Sequence, residues 1–115
     1  MSLEPLPSDV GFADAELDHY LKTHSQLKVI VRAWNQKKIE LVFQDVIQLL
    51  DQGIGEIANV CRETSQTDFL ISALETMYES IPASHPYQEY VFLDYNDSKV
   101  LTVVAKSVEV QVTDR

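Results

Sequence analysis

Between Lys99 and Thr113 the chain is almost continuously β-forming, yet its apolar positions change phase. Leu101, Val103 and Ala105 fall on odd positions; Val108, Val110 and Val112 fall on even ones. Side chains alternate faces along a strand with a period of two, so one straight strand cannot turn both sets toward one layer. The chain must bulge or bend at Lys106–Ser107, or the two sets must face different layers. A bend there also shapes a groove beside an edge strand.

The rest of the pattern agrees with a β-rich chain. In "LKVIVRAW", residues 27–34, Leu27, Val29, Val31 and Ala33 form one face, and after the polar "NQKK" the segment "IELVF" resumes with Ile39, Leu41 and Phe43. That is the signature of a β-hairpin. Residues 44–63 fit helical and extended spacing about equally around the glycine-containing break "DQGIG", and strand–turn–strand is the preferred reading. The clearest helical stripe is Leu70, Ala73, Leu74, Met77 and Ile81, introduced by a Ser65–Asp68 pair resembling a capping box and closed by Pro82. Leu17, Tyr20, Leu21 and His24 recur at helical spacing behind Asp14, which predicts a short N-terminal helix. Pro5, Pro7 and Gly11 mark residues 1–11 as a flexible arm. The expected fold class is α+β. An antiparallel β-sheet of about five to six strands carries the main helix (about 66–81) on one face, all within a single domain spanning 12–115.

Charge narrows the partners. The formal net charge is −9, and residues 45–98 hold ten acids against the single cation Arg62. Such a surface is repelled by phosphate backbones and anionic lipid, so no nucleic acid and no membrane are expected as partners, whereas a basic protein partner is attracted. No apolar run is long enough for a transmembrane helix, and the N-terminal residues lack the basic and apolar regions of a secretory signal. A lone cysteine, Cys61, allows no intrachain disulfide, and the expected compartment is a reducing cytoplasm.

The segment "DYNDSKVL", 94–101, begins like a calcium loop, with oxygen donors at Asp94, Asn96 and Ser98. Counting onward puts Lys99 where such a loop needs glycine and Ala105 where it needs a bidentate glutamate. Asn and Asp favour left-handed turn geometry, so the stretch reads as the turn of a hairpin. His19, His24 and His85 follow no ligand spacing, although Glu16 and His19 would share a face of the expected helix, and no metal or cofactor is assigned. No nucleophile motif and no glycine-rich phosphate loop are present, so no catalytic residue is assigned.

Four aromatic residues are candidates for an interaction surface: Trp34 beside Lys37 and Lys38, and Tyr87, Tyr90 and Tyr95 around the C-terminal hairpin. Because "EYVFL" and "KVLTVVA" are apolar on both faces, one helix leaves surface to cover, which predicts a homodimer through sheet or strand edges. The leading functional expectation is a small, acidic, non-catalytic protein-interaction module. Bacterial immunity proteins, which block basic toxins, offer an analogy in size and charge only. The alternative is a small-ligand binder or enzyme with a pocket between the 66–81 helix and the C-terminal strands, using His85, Tyr87 and Cys61.

Overall fold

A computed structural model describes residues 3–6 and 11–113. Ten strands and one helix follow in order: β1 (Leu3–Pro5), β2 (Ala15–Thr23), β3 (Gln26–Arg32), β4 (Lys38–Gln44), β5 (Gln48–Asp51), β6 (Glu56–Ile57), β7 (Asn59–Glu63), α1 (Asp68–Glu75), β8 (Gln88–Leu93), β9 (Lys99–Ala105) and β10 (Ser107–Thr113). They form two five-stranded antiparallel sheets, ordered β1-β7-β8-β9-β5 and β10-β4-β3-β2-β6. The chain is therefore mainly β, with an antiparallel framework and a helix packed on it. Where the sequence suggested one sheet of fewer strands, the chain folds over into two. No helix among the described residues is long and apolar enough to cross a membrane.

The phase change at Lys106 is a corner. β9 lies in one sheet and β10 in the other, while their partners β5 and β4 make the same crossing over residues 44–48. Pairing does not lapse at the turn: the Lys106 N–H donates to the Gln44 carbonyl at 3.0 Å, and the Ile47 N–H donates to the Val104 carbonyl at 2.9 Å. Asp45 takes a left-handed φ of 53°, a conformation that short polar side chains tolerate, and so turns the second strand. Bending changes which parity points inward. Leu101, Val103 and Ala105 are fully buried from one sheet, and Val108, Val110 and Val112 pack against the same core from the other. A third crossing joins β6 to β7 through Ala58, whose N–H donates to the Leu93 carbonyl at 2.7 Å.

Between the sheets lie Leu27, Val29, Val31, Ile39, Leu41 and Phe43, with Val60, Tyr90 and Phe92 facing them. The Phe43 ring meets Tyr90 edge-on with centroids 5.2 Å apart and Phe92 at 6.2 Å. α1 covers the outer face of the β1-β7-β8-β9-β5 sheet, burying Leu70, Ala73 and Leu74 against Val104 and Tyr87.

Three sequence expectations change. The predicted N-terminal helix is strand β2. A bulge between Leu17 and His19 adds one residue to the register, so Leu17 and Tyr20 reach the same inner face three positions apart. The bulge thus mimics helical spacing, and Leu21, which a helix would have used, is 63% exposed. Glu16 and His19 accordingly lie on a strand, and their helical pairing lapses. The main helix is shorter than 66–81. Thr67 is its N-cap, accepting from the Leu70 N–H at 3.1 Å, whereas Ser65 bonds Glu63; Met77 leaves the stripe and is exposed. Finally, Leu3–Pro5, expected within a flexible arm, pair with β7, whose edge would otherwise go unpaired; Leu3 packs over Cys61, Val91 and Leu93, and Glu4 meets Arg62 at 2.5 Å. The remainder of that arm apart from Leu6 and Gly11 lies outside the described residues. The strand reading of 44–63 and both hairpins agree with β3–β10.

Phe43 joins both sheets, so Phe43→Ala should lower the unfolding free energy by about 3–5 kcal/mol, read as a drop in the urea midpoint at unchanged slope.

Candidate functional site

Two regions outside the core collect polar groups. The first lies beneath the start of α1. β7 and β8 place Glu63 directly opposite Glu89 on the outer sheet face, and both are buried. Burying a carboxylate is costly unless donors and a counter-charge meet it. Glu63 accepts from the Ser65 N–H at 3.3 Å and from the Ser65 hydroxyl at 2.9 Å. Glu89 accepts from the Thr67 hydroxyl, the same group that caps α1. The Lys99 ammonium stands 3.5 Å from the other Glu89 oxygen. Lys99 is paired with Leu93, four residues along β8 from Glu89. At about 3.3 Å per residue that is roughly 13 Å, so the lysine stem must run along the sheet to deliver its charge. These bonds fasten the helix start to the sheet, which is a structural role.

A polar cleft of about 270 Å³ opens beside the carboxylates, lined by Ser65, His85, Tyr87 and Gln88 among others. The Tyr87 N–H donates to His85 Nδ1 at 3.3 Å, and the two rings stack with centroids 6.4 Å apart. The structure thus brings His85 and Tyr87 together. It places Cys61 elsewhere, in an apolar cluster with Val91, Leu93 and Leu3. The expected pocket shared by His85 and Cys61 is corrected on that point: Cys61 sits on β7 two residues before Glu63, under β1, away from the cleft. Burial pushes its thiol pKa up, which suppresses the reactive thiolate.

The second region is one end of the sandwich. Asp94 and Asp97 flank the β8–β9 turn, Asp51 ends β5, Glu56 opens β6, and Asp14 precedes β2. None of these five carboxylates has a salt-bridge partner among the described residues, whereas Arg32, Arg62, Lys28, Lys38, Lys99 and Lys106 each meet an acid. The turn itself has the geometry expected for "DYNDSKVL": Asp94 Oδ1 accepts from Asn96 and Ser98 N–H groups at 2.8 and 2.9 Å, and Asp97 is left-handed at φ 59°. Tyr95 projects from this turn, 51% exposed, and its hydroxyl donates to Asp14 Oδ1 at 2.5 Å. Tyr20 closes the neighbouring flank by donating to Asp51 Oδ2 at 2.8 Å.

Of the four aromatic residues expected on a surface, two are there. Tyr95 is at the acidic end, and Trp34 is 64% exposed in the β3–β4 turn. Tyr87 and Tyr90 are buried: Tyr87, just before β8, under α1, and Tyr90, on β8, between the sheets. The gathering of Asp14, Asp51 and Glu56 around the turn has no local sequence signal. Its only trace is the acidity of the 45–98 segment.

The hydrogen bond to Asp14 holds the Tyr95 phenol above its usual pKa, and that to Asp51 does the same for Tyr20. Burial raises Tyr90 and Cys61. All four groups therefore hold their protons more tightly folded than unfolded. Their contribution to stability is complete below the unfolded values and is lost as pH rises through the folded ones. Urea midpoints should be flat near neutrality with respect to these groups and fall above about pH 9–10. Asp14→Asn should shift one phenol back toward its ordinary value in an ultraviolet titration.

Comparison with protein-family models, with curated proteins and with solved structures finds no match to this chain.

Proposed function

We propose that this chain is a non-catalytic protein-interaction module that takes a basic protein partner at its acidic end. The observation that carries this reading is the set of carboxylates without a salt-bridge partner among the described residues at one end of the sandwich: Asp14, Glu56, Asp94 and Asp97 near the exposed Tyr95, and Asp51 on the flank that Tyr20 closes. Clustered charge of one sign steers an oppositely charged partner and raises its association rate, while an amphipathic aromatic supplies the contact that persists. Tyr95 suits that part because its hydroxyl is already fixed by Asp14, so little side-chain freedom remains to be lost on binding. Neutralising a basic toxin, in the manner of immunity proteins, is one role that this charge suits.

The test is capture from a lysate of the source organism at low and high salt, followed by kinetics with the recovered protein. A basic partner is expected, with association slowed about tenfold or more between low and physiological salt. The combined Asp14→Asn, Glu56→Gln and Asp97→Asn variant should associate more slowly, and Tyr95→Ala should dissociate faster. A partner that is acidic, or whose binding ignores both salt and these substitutions, would reject the reading.

A further inference from the structure

β10 is an edge strand whose only strand partner among the described residues is β4. Which of its backbone groups face outward follows from the register. The Ala33 N–H donates to the Lys37 carbonyl, so Lys37 and, by alternation, Ile39, Leu41 and Phe43 bond toward β3. Lys38, Glu40, Val42 and Gln44 therefore bond toward β10, where they oppose Thr113, Gln111, Glu109 and Ser107. That leaves the N–H and C=O groups of Val108, Val110 and Val112 directed out of the sheet. At the corner the Gln44 carbonyl accepts from the Lys106 N–H, so Gln44 does point toward this strand, and the outward alternation begins at Val108.

The strand reads Ser-Val-Glu-Val-Gln-Val-Thr, which has the same shape in both directions about Val110 and differs in charge only between Glu109 and Gln111. An antiparallel copy centred there sets Val110 against Val110, Val108 against Val112, Glu109 against Gln111, and Ser107 against Thr113. Every outward backbone group then meets its complement. Centring on Glu109 would oppose two carboxylates, and centring on Gln111 would carry Val108 past the end of the other copy's strand. On the outer face the Glu109 carboxylate receives the Gln111 amide of the other copy, twice by symmetry. On the inner face three half-buried valines gain cover beside an open groove of about 570 Å³ that Leu6, Arg62 and Tyr90 also line. An exposed edge of this kind, blunted only by Glu109, is a template for strand addition.

We infer that β10 pairs antiparallel with β10 of a second copy about Val110, joining two five-stranded sheets into one continuous sheet across a two-fold axis. This pairing uses a different surface from the acidic end and does not depend on the functional reading given above.

Sedimentation equilibrium of the full chain from about 1 to 300 μM should show a monomer–dimer equilibrium that tightens with added salt, because two acidic copies repel each other. Gln111→Glu places carboxylates opposite Glu109 of the other copy and should raise the dissociation constant about three- to tenfold at low salt; Gln111→Lys should lower it. Both side chains are exposed, so neither change disturbs the monomer fold. Val110→Pro removes a central outward donor while leaving every bond to β4, and should give a folded monomer by circular dichroism. A monomer throughout the concentration range would overturn the inference. So would a dimer indifferent to both Gln111 substitutions.

Discussion

The two backbone hydrogen bonds across the corner, Lys106 to Gln44 and Ile47 to Val104, hold the architecture together. They keep two strands paired while both leave one sheet and enter the other. Without that continuity β4–β5 and β9–β10 would be four short strands with exposed ends. With it they are one bent ribbon, and the inner faces of both its arms enclose the same apolar interior. Phe43 lies just before the bend on β4 and meets Tyr90 and Phe92 across the interior, so the corner also sets the spacing of the aromatic centre. The helix is secondary to this frame. It needs an outer sheet face on which Val104, the residue that bonds Ile47, is already placed.

How much of this is legible in the residues varies with the kind of signal. Period-two alternation made β3 and β4 readable, and the parity break at Lys106 located the corner without showing that a second sheet lay beyond it. β2 misled because its bulge spaces Leu17 and Tyr20 as a helix would. Sequence spacing cannot separate a bulged strand from a short helix when the apolar positions are few. The helix stripe was real, but Met77 kept the spacing after the backbone had turned away. The polar sites were less legible still. Glu63 and Glu89 are 26 positions apart and become neighbours only through strand register. Asp14 and Tyr95 are 81 positions apart. Tyr87 and Tyr90, by contrast, look like surface aromatics by composition, and cover by the helix on one side of the sheet and by the second sheet on the other overrides that.

Charge is arranged by the same frame. Most cations are drawn into pairs along the sheets: Lys28 and Lys38 with Glu40, Arg32 with Glu16 and Asp18, Arg62 with Glu4. Exposed pairs of this kind add little stability. Their larger effect is on the field, because pairing cancels charge along the sheet faces and leaves part of the surplus at the turn-bearing end. That end is where loops rather than strands set the surface, so its shape is free to vary without disturbing the core.

Lys99 ties these regions together. It begins β9 beside the acidic turn, yet its ammonium is spent on Glu89 beneath the helix cap. One buried carboxylate, Glu89, therefore holds both the α1 cap residue Thr67 and the cation at the start of β9. Neutralising it would loosen the helix start and free the Lys99 charge in a single step.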